Sequence, residues 1–412
     1  MKPLFTFAAI LCAVASTAAA PPEPHPLRAG AATSNITPDL GALIVGGFQP
    51  FPATNVHDEL HARCLVLDDG KTRLALVVCD LLGLHRSVSI EARRLIRETL
   101  GIPPENVLIS ATHTHSAASA LGERSYKSDQ PLDDYQKFVA RRIADGVRRA
   151  AHNLRPARIA FGSVEAPEHV FNRRWFMREG TTPLNPFGER DKVKMNPPGG
   201  SPDLVEPAGP IDPTISFIAL REPAGRMISV FSAYSLHYVG GVANADISSD
   251  YYGMFCEALK SLQTRSDDDP PFVAMMANGT SGDINNINFR TPRPRQAPYA
   301  QMRLVAEDVA GKVNAALAKL TWKDSAELAA SYRELELDWR RVDPRLIAWA
   351  RDTEAKARQT PKKDVIALSY AGRVQRLAQA SDPALAPVQV LRIGDVCIGT
   401  SPCETFARDQ ST

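Results

Sequence analysis

Five places along the chain put polar, chemically capable side chains directly after an apolar run: Asp80, His113 with His115, His237, the Asn278–Asn288 turn, and Glu404. Open α/β sheets collect ligands outside the carboxyl ends of their strands, so strand ends far apart in sequence can converge on one site. The densest of the five is Asn106-Val-Leu-Ile-Ser-Ala-Thr-His-Thr-His-Ser116. If the strand runs on through it, the two-residue period sends both imidazoles off one face. Two neutral imidazoles at a strand end suit a transition metal such as zinc. Left in solvent, they are only a polar strand end. His237 follows Val230-Phe-Ser-Ala-Tyr-Ser-Leu236 and, by itself, reads as a hydrogen-bonded structural group. With Glu404 added, two histidines and a carboxylate make a catalytic zinc set that leaves a position for water. The glycine-rich turn Asn278-Gly-Thr-Ser-Gly-Asp-Ile-Asn-Asn286 offers backbone amides to an oxyanion, and Asp283 to orient a histidine. It lacks the spacing of a phosphate-binding loop.

The elements that must hold these groups mix strands and helices throughout. Val56–Gly70 and Thr72–Val78 read as a hairpin, Ser87–Leu100 as a helix, and the double-histidine stretch as the strand after it. Asp133–Asn153 is an amphipathic helix with Tyr135, Phe138, Val139, Ile143 and Val147 on one side. Further on come the strand pair Ile215–Leu220 and Met227–Ala233, helix Ser249–Leu262, buried strand Phe272–Met276 and helix Tyr299–Leu320. Leu328–Leu337 alternates as a strand, Asp343–Gln379 is helical, and Val388–Thr400 is a final hairpin about Gly394-Asp395. Phe171–Pro213 shows no periodicity, and a stretch that long reads as a covering loop. There is no internal repeat. The expected class is α/β: mixed β-sheets flanked by helices in one large domain, residues 27–412.

Composition narrows the function. A 412-residue chain with 44% hydrophobic and 23% charged residues buries a large core. A formal net charge of +2 gives no general attraction to nucleic acid or to an anionic membrane. Asp267-Asp-Asp269 lacks the spaced ligands of a calcium loop, and the basic cluster Arg290–Arg295 is broken by prolines. Residues 1–20 read as an export signal: Lys2, the apolar Leu4–Val14, then the small residues Ser16–Ala20. No later stretch reaches transmembrane length, so the expected destination is the periplasm or the exterior. Without Cys12, five cysteines remain (Cys64, Cys79, Cys256, Cys397, Cys403), and they show neither a disulfide framework nor zinc-finger spacing.

Taken in order, the motifs resemble the neutral, non-lysosomal ceramidases. The matching stretches are Ala32-Thr-Ser-Asn-Ile-Thr-Pro38, His57-Asp58, Ala62-Arg63, Leu67-Asp-Asp-Gly70 and Ser110-Ala-Thr-His-Thr-His-Ser116. Asn172-Arg173, His237, Ile247-Ser-Ser-Asp-Tyr251, Gly279-Thr-Ser-Gly-Asp-Ile284 and Glu404 with Phe406 continue the series. The resemblance implies a zinc-dependent amidase that cleaves the N-acyl bond of ceramide, with zinc-activated water attacking the carbonyl. It makes His113, His237 and Glu404 the zinc ligands. His115 would sit beside the metal to meet the substrate carbonyl, and Arg173 would contact the reacting group. Two features depart from the family. Asn285 stands where ceramidases proper place a serine, and the family's tyrosine ligand lies beyond Glu404, after which this chain has eight residues. A C-terminally incomplete catalytic domain is therefore expected. The competing reading is a non-catalytic binding protein or an inactive fragment. The partner in either case is a small-molecule or lipid amide rather than nucleic acid.

Overall fold

The computed structural model describes residues 26–122, 130–263, 270–292, 294–359, 361, 363–381 and 383–407. The expected export signal, Asp267–Asp269 and Arg293 of the basic cluster lie outside them.

Two stretches of the chain fold alike. The first comprises β1 (Arg28–Asn35), β2 (His61–Asp68), β3 (Arg73–Cys79), helix α1 (Arg86–Leu100), β4 (Val107–Ala111) and helix α2 (Asp134–His152). The second comprises β5 (Arg158–Glu165), β6 (Thr214–Arg221), β7 (Met227–Tyr234), helix α3 (Asp250–Gln263), β8 (Val273–Asn278) and helix α4 (Ala300–Leu317). In each half three strands pair antiparallel in succession, and the fourth returns across a helix to lie parallel to the third. No sequence repeat announces this duplication. A shared topology needs only apolar runs in the same order, and those runs share no residue pattern.

The two sheets pack face to face. Leu65, Leu67, Leu74, Leu76 and Leu108 of the first meet Ile159, Ile218, Leu220, Phe231 and Met275 of the second in one buried cluster. The outer face of the first sheet is covered by α1 and α2, through Val88, Ile96, Val139, Ile143 and Val147. That of the second is covered by α3 and α4, through Phe255, Leu259, Val305, Val309 and Val313. The result is four layers, helix, sheet, sheet, helix. Strands covered on both faces must be apolar on both, which is why β2 and β3 read as nearly continuous hydrophobic runs rather than alternating ones. Each large side chain so buried contributes roughly 1.5–3 kcal/mol. The crossover helices end where local chemistry stops them. His85 Nδ1 accepts the Ser87 N–H (3.1 Å) to start α1, and Gly101 closes it in the left-handed conformation (φ 68°). Asp133 and Gln136 form a capping box at the start of α2.

A third, antiparallel sheet of β9 (Leu328–Leu337), β10 (Ala384–Ile393) and β11 (Val396–Thr400) closes one side. Its Leu328, Leu391 and Ile393 extend the inter-sheet core. The β9–β10 connection is a helical hairpin, α5 (Pro344–Gln359) and α6 (Val365–Ala378). The Phe171–Pro213 segment, expected as a loop, carries a small sheet of Arg174–Met177, Val193–Met195 and Leu204–Pro207. Strands of three or four residues are too short to show a period in sequence. The segment's tip is pinned by Phe187, whose ring lies 4.8 Å from Trp349 and 5.7 Å from Tyr370 of the helical hairpin. Cys64, Cys79 and Cys256 are buried thiols, and Cys397 and Cys403 are exposed ones.

Candidate metal centre

The parallel pairs β3/β4 and β7/β8 deliver their carboxyl ends to one region. The double-histidine strand ends at Ala111, short of the histidines, so the strand period does not set their direction. His113 adopts a left-handed backbone instead (φ 68°), which costs a non-glycine residue roughly 1–3 kcal/mol and persists only where its surroundings fix it. Those surroundings are explicit. His113 N–H donates to the Leu81 carbonyl (3.0 Å), and its Nδ1 lies 2.8 Å from the Leu82 carbonyl. Thr114 and Ser116 both donate their hydroxyls to the Ser248 carbonyl at 3.0 Å, tying the stretch to the second half.

With Nδ1 facing a carbonyl, His113 presents Nε2 to the cluster. His115 Nε2 lies 3.2 Å from it and Glu404 Oε1 2.9 Å from it. His237, 2% exposed, completes the group: ligand atoms of His113, His115 and His237 lie within 4.8 Å of one another. Its Nδ1 faces the Ser281 carbonyl (3.1 Å) and hydroxyl (3.3 Å), leaving Nε2 for the cluster. Burial, and then the neighbouring His113, hold the His115 pKa down to about 4. Burial, then Arg173 and the two other imidazoles, hold that of His237 down to about 3. A hydrogen bond from His113 pulls Glu404 down to about 2. At neutral pH the region therefore gathers neutral imidazole lone pairs and an ionised carboxylate. Ligand atoms on zinc bonds of about 2.0–2.2 Å stand about 3.3 Å apart in a tetrahedron, close to the His113–His115 and His113–Glu404 spacings, with His237 within 4.8 Å of the other imidazoles. Imidazoles with a carboxylate are a donor set that suits a transition metal ion such as zinc.

The glycine-rich turn registers the other groups. Arg173 donates from Nε and Nη2 to the Gly282 carbonyl (3.2 and 2.6 Å), and its N–H donates to the Asp283 carbonyl (2.7 Å). Arg173 Nη2 then lies 3.8 Å from Glu404 Oε2, and burial lowers its pKa. Glu404 rides on a C-terminal strap. Gly282 N–H donates to the Thr405 carbonyl (2.9 Å), and Ala407 N–H to Asp283 Oδ1 (3.1 Å). A Cβ on Gly282 would stand 2.7 Å from both the Glu404 carbonyl and the Phe406 ring, so the strap docks only on glycine.

Three expectations change. Asp283 orients no histidine: its Oδ2 accepts from Asn172 (2.8 Å) and its Oδ1 from the strap, and Ser281 orients His237 instead. Asn285 donates to Asn196 Oδ1 (3.2 Å) of the covering segment, an amide pair with no nucleophile in it. Asp80, fully buried, pairs with Arg63 rather than joining the cluster. Sequence reasoning passed over Ser281, the Leu82 carbonyl, and Tyr238, whose ring stacks on His115 (3.8 Å, 14°). An aromatic residue directly after His237 was the available signal for Tyr238. Backbone acceptors leave none.

Residues 28–296 match the family described as "Neutral/alkaline non-lysosomal ceramidase, N-terminal". The chain belongs to this family. Among curated ceramidases, neutral ceramidases A and B of Dictyostelium discoideum are each 23% identical to it. The matches run over 277 and 251 residues, 65% and 58% of this chain. The chain spans about a third of the length of these relatives, 35% and 32%. A solved structure of the neutral ceramidase from Pseudomonas aeruginosa shares the fold, with a TM-score of 0.61 at 20% identity over 91% of this chain and 62% of that one. A ceramidase structure described as complexed with C2 gives 0.62, also at 20% identity. No described helix is long and apolar enough to cross a membrane.

Proposed function

We propose that this ceramidase-family chain is an exported, zinc-dependent hydrolase of N-acyl amide bonds, with a ceramide-type lipid amide as substrate. One observation carries the reading: a neutral imidazole nitrogen and an ionised carboxylate converge on His113 Nε2 at 3.2 and 2.9 Å, with His237 beside them. A shared cation would sit where these ligand atoms converge. His113, His237 and Glu404 would hold the ion. When bound, zinc supplies Lewis acidity, which acidifies water and polarises a carbonyl.

The chain's own groups do the rest. His115, neutral and facing the same point, meets the scissile carbonyl. The Arg173 guanidinium, fixed on the Gly282 carbonyl, stabilises negative charge developing on the carbonyl oxygen. Glu404, ionised, also balances the charge of Arg173 in the free site. Asp283 and Ser281 position these groups without touching substrate. No side-chain nucleophile is required, because water attacks directly, and the Asn285–Asn196 pair braces the covering segment.

The test is amine release from a short-chain fluorescent ceramide by the purified protein. Turnover that disappears on chelation and returns with zinc is expected. A zinc-loaded protein that leaves both this probe and a fluorogenic N-acyl amide intact contradicts the reading. That outcome favours the second one, a non-catalytic lipid-amide binder, which the Asn285–Asn196 pairing supports.

A further inference from the structure

His115 is held by two residues that are not themselves candidate metal ligands, Gly46 and Tyr238. Gly46 packs on its backbone so closely that a Cβ there would stand 2.3–2.5 Å from the His115 carbonyl oxygen, Cα and Cβ. The Gly46 backbone also hydrogen-bonds the imidazole. Across the face of the ring lies Tyr238, with centroids 3.8 Å apart and planes 14° from parallel. The same phenol ring is 5.1 Å from that of His237, so it borders both imidazoles.

Tyr238 is itself placed by a fixed loop. The next two N–H groups, of Val239 and Gly240, donate to the two oxygens of Asp250 at 2.8 and 2.9 Å. Asp250 is fully buried and holds a left-handed backbone (φ 59°) at the start of α3. Asn286 Nδ2 secures the Val239 carbonyl at 3.0 Å. Gly240 takes a left-handed backbone (φ 71°), and a Cβ there would press on the Tyr238 ring at 3.1 Å from Cε2. A carboxylate with strained backbone, a side-chain amide and a left-handed glycine thus all serve to set one aromatic ring. Backbone strain held this firmly marks a place where position matters.

We propose that Tyr238 is the positioning residue for His115. Its ring fixes the imidazole plane so that Nε2 stays turned to His113 and to the carbonyl that would be bound there, and Asp250 fixes Tyr238. The inference rests on the hydrolase reading, in which His115 meets the substrate. Misplacing a catalytic group by about 1 Å can cost on the order of 100-fold in rate. A ring free to rotate is such a misplacement, while His113, His237 and Glu404 keep their own contacts with the Leu82 carbonyl, Ser281 and Arg173.

The experiment compares Tyr238→Leu with Tyr238→Phe, in the wild-type and His115→Ala backgrounds, on the short-chain fluorescent ceramide. Tyr238→Leu is expected to keep its zinc, lose about tenfold or more in kcat and change KM by less than about twofold. Tyr238→Phe, which keeps the stack, recovers most of that loss. In the His115→Ala background, Tyr238→Leu adds less than about twofold. Equal activity of the Leu and Phe variants, or an undiminished loss without His115, overturns the proposal. Proton NMR of the metal-free protein gives a readout independent of turnover. His115 ring protons are shifted upfield by the phenol in wild type and Tyr238→Phe, and that shift is lost in Tyr238→Leu. If wild type fails to hydrolyse any probe, the hydrolase reading falls. The NMR comparison then decides alone, and unchanged His115 shifts in Tyr238→Leu overturn the positioning role.

Discussion

The two halves of the molecule have one topology and opposite uses for it. In the first half the strand before the crossover leads to Asp80, whose buried carboxylate is paired with Arg63 and accepts the His61 N–H (3.0 Å). The equivalent strand of the second half leads to His237 and the cluster. The strand after the crossover reverses the roles. In the first half it leads to His113 and His115, and in the second to a glycine-rich turn that places other groups rather than donating one of its own. Each half thus gives the cluster one strand end and keeps the other for architecture. The fold brings four strand ends together, and the residue at each end decides between chemistry and support.

This division can be broken at each point. His113→Ala and His237→Ala, one from each half, are each expected to release zinc and cut amide hydrolysis on the order of a thousandfold, measured by metal content and initial rates. Gly282→Ala attacks the supporting strand end. Its Cβ displaces the strap, so activity drops about 10- to 100-fold with the histidines intact, and added zinc restores only part of it. Asp80→Asn attacks the supporting end of the other half. It leaves Arg63 buried without its charge partner and costs about 3–5 kcal/mol, read as a lower urea midpoint, while the rate per zinc-loaded folded molecule changes less than about twofold.

The smallest effect is on pH. His237 is held neutral in the fold, with its pKa down to about 3 from an ordinary 6.5. Below 6.5 the unfolded chain binds a proton that the folded one refuses. Stability of the metal-free protein is therefore full above pH 6.5 and declines as the pH falls from there toward 3. The urea midpoint at pH 5 should lie below that at pH 7.5, and the unfolding free energy should be lower by about 1–2 kcal/mol for this group. His237→Gln should flatten the slope.

Much of the fold was legible because its strands are buried on both faces. β2, β3, β7 and β8 are long apolar runs, and the helices between them keep clean amphipathic periods with capping residues. The small sheet between Phe171 and Pro213 was not, because strands this short carry no period. His113, His237 and Glu404 could be chosen from sequence because each follows an apolar run and the motif order joins them. The direction of His113 could not, since it comes from a left-handed turn held by the Leu81 and Leu82 carbonyls. Ser281, a hydroxyl four residues from Asn285, holds His237, a contact that no spacing in the sequence signals. Asp283 was given a histidine and instead bolts Asn172 and the strap. Roles fixed by close backbone approach, as at Gly46 and Gly282, leave only a glycine in the sequence.

The central claim is that one zinc ion joins the two halves through His113 and His237. Zinc titration of the metal-free protein by calorimetry tests it most directly, with His113→Ala and His237→Ala alongside. Binding near one ion per chain in wild type, weakened at least about 100-fold in both variants, is the result expected. Wild-type protein that takes up no zinc, or either variant binding as tightly as wild type, contradicts it.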